Sequence, residues 1–236
     1  MGEFAHAFAT AARLVVTLDA DLIEVVGLSL QVSLAAVAIA TAIGLPLGAA
    51  IALFRFPGRT GAIVLANALM GLPPVVVGLA VYLLLSRSGP LGVFGLLYTP
   101  AAMIIAQTVL VTPIVIALSR QIIEDLWAEY ADQLRSFGAD RRTAIPTLLW
   151  DARAHLGTAV LAGFGRATAE VGAVIIVGGN IDHLTRMMTT AIALETSRGD
   201  LGLALGLGFL LVLLSVLVNM TVFLVNERTA PRHGMV

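Results

Sequence analysis

Two ionisable residues stand alone inside a long apolar run. The stretch "LGTAVLAGFGRATAEVGAVIIVG", residues 156–178, holds Arg166 and Glu170 and no other charge. Their i, i+4 spacing puts both on one face of a helix, within reach of each other. Ionisable groups at membrane depth are costly and face a protein interior or water. Two readings follow. The pair satisfies itself and locks its helix to its neighbours, or it borders a path through the membrane.

A second charged stretch lies between apolar runs. The segment Arg120–His155 holds 11 of the 29 charged residues, six acidic and five basic. Its heart is "QLRSFGADRRTAIPTLLWDAR". Ile123, Leu126, Tyr130, Leu134 and Phe137 follow helical spacing. Gly138 then breaks the pattern, and Asp140 is placed to cap a second short helix. Pro146 is expected to interrupt or end that helix. The bland alternative is a solvated amphipathic connector.

Other chemistry is excluded by residue type. All 14 basic residues are arginine, so a phosphate-cradling loop of the kind that needs lysine is absent. There is no cysteine, hence no disulfide or thiolate site. His6, His155, His183 and His233 are scattered without metal-ligand spacing. No apolar run holds a serine beside a base or a pair of aspartates, which argues against an intramembrane enzyme. A net charge of −1 does not favour nucleic acid as a partner.

The elements that position these residues must cross a bilayer. Of 236 residues, 58% are hydrophobic and only 12% charged, and the mean hydropathy is +0.96. Soluble domains carry about 25% charge. Five windows reach the roughly 20 apolar residues that one crossing takes. They are 25–54, 63–85, 99–119, 156–178 and 201–225. The chain therefore reads as an all-α integral membrane protein with five transmembrane helices and the charged segment between spans 3 and 4. Residues 1–24 read as an N-terminal interfacial segment, 25–226 as the transmembrane domain, and 227–236 as a tail. "GLPLG" in span 1, "GLPP" in span 2 and Pro113 in span 3 are expected to kink their helices, or to break them around a path.

Arginine placement orients the chain, because loops on the cytoplasmic side are enriched in arginine and lysine. With 120–155 inside, nine arginines lie inside and four outside. This puts the N-terminus outside, and the C-terminus and the charged segment in the cytoplasm.

Residue order in the charged segment resembles the coupling motif of ABC-transporter permeases of the binding-protein-dependent import type. That motif runs Glu-Ala-Ala, three residues, Gly, nine residues, Ile, one residue, Leu-Pro. Asp132-Gln133-Leu134 stands at the Glu-Ala-Ala place, Gly138 is the Gly, Leu148 stands for Ile, and Trp150-Asp151 stands for Leu-Pro. The Gly and its spacing match; the Ala pair and the Leu-Pro do not. "SLQVSLAAVAIATAIGLPLGAAIA", "NALMGLPPVVVGLAVYLLLSRSGPLG", "GFGRATAEVGAVIIVGGNI" and "TTAIALETSRGDLGLAL" are similar to the oxyanion branch, most of all to tungstate permeases. The resemblance runs from about Gly27 to Asn226.

The resemblance implies a permease that imports an oxyanion, tungstate before molybdate or sulfate, as a homodimer in a prokaryotic inner membrane. Its implied partners are a cytoplasmic ATPase dimer, an extracytoplasmic oxyanion-binding protein, a second copy and the lipid bilayer. ATP would sit on the ATPase, with no cofactor on this chain. Asp132, Arg135, Gly138, Ala139, Asp140, Arg141, Arg142 and Ile145 would form the ATPase-coupling surface. Arg166, Glu170, Asn180, Thr189 and Thr190 would border the pathway or gate. A lone glutamate would repel an oxyanion, so Glu170 is given a packing or gating role. "MMTTAIALETS" is expected to be a helix lying in the outer interface. A membrane scaffold or sensor without transport is the competing class.

Overall fold

A computed structural model describes residues 20–138 and 140–229. Ala139 and most of the two terminal segments lie outside them. The described residues form helices α1 (Ala20–Leu53), α2 (Arg59–Leu69), α3 (Pro74–Leu85), α4 (Pro100–Ser136), α5 (Arg141–Asp151), α6 (Arg153–Thr168), α7 (Gly172–Gly178), α8 (Met188–Arg198) and α9 (Leu201–Thr229), with one 3₁₀ turn at Gly92–Phe94 and no strand. Helices α1, α4 and α9 are each long and apolar enough to cross a bilayer. Two bent pairs, α2–α3 and α6–α7, bring the crossings to five if each pair is one span.

Helices α1 and α4 form the central seam, and small residues let them touch. A carbon added at Gly44 would lie 2.8 Å from Val115 Cβ, and one at Gly48 only 2.0 Å from Ser119 Oγ. Val37, Ala40, Val111, Val115, Phe164 and Ala167 close one buried cluster along this seam and α6. A second cluster, with Val77, Val81, Met103, Ala106, Ala173 and Val174, seats α3 and α7 on α4.

The three proline sites differ in outcome. Helix α1 runs through Pro46 and α4 through Pro113 without interruption. Span 2 takes the second of the two expected outcomes and breaks, turning by 103° between α2 and α3. Its Pro73-Pro74 pair removes two successive donors and pushes the preceding residues out of helical conformation. Pro73 sits at ψ 122 as the residue before α3. Span 4 also breaks, by 58° between α6 and α7, with no proline present.

Pro146 likewise does not end its helix, because α5 continues through it to Asp151. Helix α8 does not lie wholly on the surface as expected. Its first residues, Met188, Thr189, Thr190 and Ala191, are buried, and Met188 N–H donates to Ser29 Oγ of α1 at 2.8 Å. Most exposed side chains on α9 are large and apolar, among them Val212, Leu213, Val216, Leu217, Met220, Phe223 and Leu224, a face suited to acyl chains.

Candidate functional site

Glu170 lies in the break between α6 and α7, and it holds that break together. Its Oε2 accepts from Arg166 Nη1 at 2.7 Å, and its Oε1 accepts from Ala173 N–H at 2.9 Å. The glutamate side chain is 2% exposed and the arginine 28%. The backbone groups freed by the break find partners on other helices. Gln107 Nε2 of α4 donates to Ala167 O at 3.1 Å, and Thr189 Oγ1 of α8 donates to Glu170 O at 2.9 Å. Irregular backbone survives at membrane depth only where protein or water covers it, and here α4 and α8 supply the partners. The i, i+4 pair therefore forms as expected, although Glu170 stands beyond the end of α6 rather than on a continuous helix face.

The structure sorts the remaining pathway candidates. The Thr190 hydroxyl donates to Met187 O and accepts from Met187 N–H, so it is spent on the start of α8. Asn180 sits in a left-handed turn at φ 50, with its amide 3.5 Å from Thr190 O. Thus Thr189 joins Arg166 and Glu170 at the break, and Asn180 and Thr190 stabilise the turn that leads into α8.

At the arginine-rich end, α4 outruns the bilayer. Its 37 residues extend about 55 Å at 1.5 Å per residue, against a hydrocarbon core of about 30 Å. Gly138, at φ 76, reverses the chain in a conformation that side chains disfavour. Asp140 then caps α5 as expected, accepting from Thr143 N–H at 2.8 Å and from its hydroxyl at 2.7 Å.

Helix α5 has two unlike faces. Ala144 and Leu148 are buried with Ala49, Leu53, Ile123 and Leu156 of α1, α4 and α6, and Ile145 packs against that cluster. Arg141 donates to Leu53 O, the last carbonyl of α1, at 2.9 Å. Arg142, Thr143, Pro146, Thr147 and Trp150 are exposed. Of the residues assigned to one coupling surface, Arg141 and Ile145 therefore face the membrane helices, while Arg142 faces out. Asp132 and Arg135 form an exposed pair at 3.3 Å on the preceding helix. Between α4 and α5 lies a cavity of about 220 Å³ lined by Tyr130, Leu134, Phe137, Leu148 and Trp150.

One cluster was missed in the sequence. Arg59 donates to Ile51 O at 2.8 Å and Ala52 O at 3.3 Å, and pairs with Glu124 at 2.9 Å. Glu124 also pairs with Arg120. Cations suit the orphan carbonyls of a helix C-terminus, and α1 ends on Arg59 and Arg141 together. The only signal available was the local abundance of arginine, which has no partner written into it.

The hydrogen bonds from Thr143, its backbone N–H first, hold the Asp140 carboxyl below the usual carboxylate range. A lowered pKa means the cap is present above the ordinary value of about 3.9 and is lost as pH falls through the lowered one. Asp140→Ala is expected to speed hydrogen exchange at Thr143 and Ala144 at pH 7 and leave the spans protected. Unchanged exchange there would count against the cap.

The described residues thus form a multi-helix membrane protein with a broken, ion-paired span and a capped helix beyond the end of its longest helix. No family model matches the chain. It is 39% identical over 218 residues to a probable anion ABC transporter permease protein of Haloferax volcanii, covering 90% of this chain and 94% of the relative. It is 39% identical over 229 residues to the tungstate uptake system permease protein TupB of Peptoclostridium acidaminophilum, covering 96% and 100%. To TupB of Campylobacter jejuni it is 41% identical over 150 residues, covering 64% and 63%. The chain belongs to the ABC-transporter permease family.

Proposed function

We propose that this permease subunit imports tungstate, as a homodimer driven by a separate cytoplasmic ATPase and fed by an extracytoplasmic oxyanion-binding protein. The two tungstate permeases among its relatives support the substrate. The two-faced helix α5 supports the coupling. Its inner face is tied to α1 through Arg141 and to α4 and α6 through Leu148, so a push on α5 reaches three crossing helices at once. Its outer face, with Arg142, Thr143 and Trp150, is free to meet another chain, and Gly138 sets the turn that aims it. Asp132, Arg135 and Asp140 complete that surface. The arginine distribution supports a cytoplasmic position for this end and an outside N-terminus, and the permease relatives support residence in a prokaryotic inner membrane.

Reconstitution of the chain with its ATPase and binding protein in proteoliposomes tests this reading. Tungstate-loaded binding protein is expected to stimulate ATP hydrolysis and drive tungstate uptake. Arg142→Glu and Gly138→Val are each expected to abolish that stimulation with the complex still inserted. An intact wild-type complex without stimulation would favour a scaffold instead. Calorimetry of the binding protein with tungstate, molybdate and sulfate checks the anion; a strong preference for sulfate would overturn the substrate alone.

A further inference from the structure

The uncovered face of α6 differs in kind from the uncovered face of α9. His155, Thr158, Ala162 and Ala169 are exposed along it, and a carbon added at Gly165 would meet nothing within 4 Å. Arg166 completes the stripe, 28% exposed. None of these is a large apolar residue, whereas the open face of α9 is made mostly of such residues, with Thr221 among them. A face with a cation and no grease is unsuited to acyl chains. Its neighbour Ala167 is bonded to Gln107, within the apolar run 99–119 of α4, which sets Arg166 at the level of the crossing helices.

Among the described residues, the Arg166 guanidinium makes one hydrogen bond, to Glu170. Guanidinium carries five N–H donors in a planar fork that fits two oxygens of an oxyanion. Glu170 has both oxygens engaged and is turned away from the open face. We propose that Arg166 is the intramembrane contact for the passing oxyanion, with Glu170 as its built-in counter-charge. The inference rests on the importer reading above. An unpaired arginine at this depth would hold an anion tightly. A paired one offers hydrogen bonds while most of its charge is already met, so the anion is recognised and released.

The chain has no cysteine, so single thiols report accessibility directly. Ala162→Cys and Ala169→Cys, in the full reconstituted complex, are expected to react with a charged, water-soluble thiol reagent, with and without ATP. Leu213→Cys on α9 is expected to stay unreactive. Tungstate is expected to protect Ala169→Cys, and that protection is expected to be lost with Arg166→Met and partly kept with Arg166→Lys. Continued reactivity of the thiol in the Arg166→Met background shows that the fold survives. Unreactive thiols on α6, or protection that survives Arg166→Met, would overturn the inference. Tungstate uptake by the wild-type complex is measured alongside. No uptake at all removes the importer reading, whereas full uptake with either negative thiol result removes only this one.

Discussion

Gly48→Leu is expected to abolish accumulation of the protein in the membrane. The first added carbon already collides: it would lie 2.0 Å from Ser119 Oγ, 2.8 Å from Ile116 O and 3.0 Å from Arg120 N. Two of these atoms belong to the backbone of α4 and cannot rotate aside. The third is a serine hydroxyl held by Val115 O at 2.6 Å. The two longest helices must therefore separate along their seam. Overpacking one site costs about 1–3 kcal/mol where side chains can adjust, and here a whole helix pair must shift. Folded proteins hold only about 5–15 kcal/mol in reserve. Gly27 lies on the same helix, and a carbon there meets nothing within 4 Å. Gly27→Leu is accordingly expected to accumulate normally. Membrane abundance and thermal unfolding in detergent, measured for both, check the comparison. Equal behaviour of the two variants would mean that the α1–α4 seam is not packed as described.

Glu170→Ala is expected to have the next largest effect. It leaves Arg166 without a counter-charge and Ala173 N–H without an acceptor. Breaking a buried pair by removing one partner costs about 3–5 kcal/mol; the partial exposure of Arg166 places this case toward the lower end. An orphaned buried N–H adds about 1–3 kcal/mol. The break between α6 and α7 then loses the side chain that spans it, and a fall in abundance with loss of uptake is the expected result. Glu170→Gln keeps a carbonyl oxygen for Ala173 N–H and is expected to accumulate better than the alanine variant. Wild-type abundance and uptake in Glu170→Ala would show that the break is held by other contacts.

The two sites share one frame. Helix α6 begins in the cluster that seats α5 and ends at the break that Glu170 holds. Arg141 joins α5 to the end of α1, and Ser29 joins the start of α8 to the same helix. Displacement of α5 thus has a covalent route along α6 and a packed route along α1, and both lead to the same buried turn.

Much of this molecule was legible before folding. Composition alone demanded crossing helices, because so many apolar residues with so few charges cannot form a soluble surface. The Gly138 turn and the Asp140 cap were readable because each acts within four residues of itself. The Arg166–Glu170 pair was readable for the same reason. What only the tertiary structure decided rests on partners far away in the chain. The break at residues 169–171 carries no proline; it persists because Gln107 and Thr189, both distant in sequence, satisfy the backbone it frees. "GLPP" announced a disturbance, but a kink and a 103° turn share that signature until packing selects one. Helix α5 has no strong apolar stripe, so only its seat on α1, α4 and α6 shows that Arg141 points in and Arg142 points out. Local stereochemistry is written residue by residue. Which backbone group meets which side chain across the bundle is decided only when the helices close on one another.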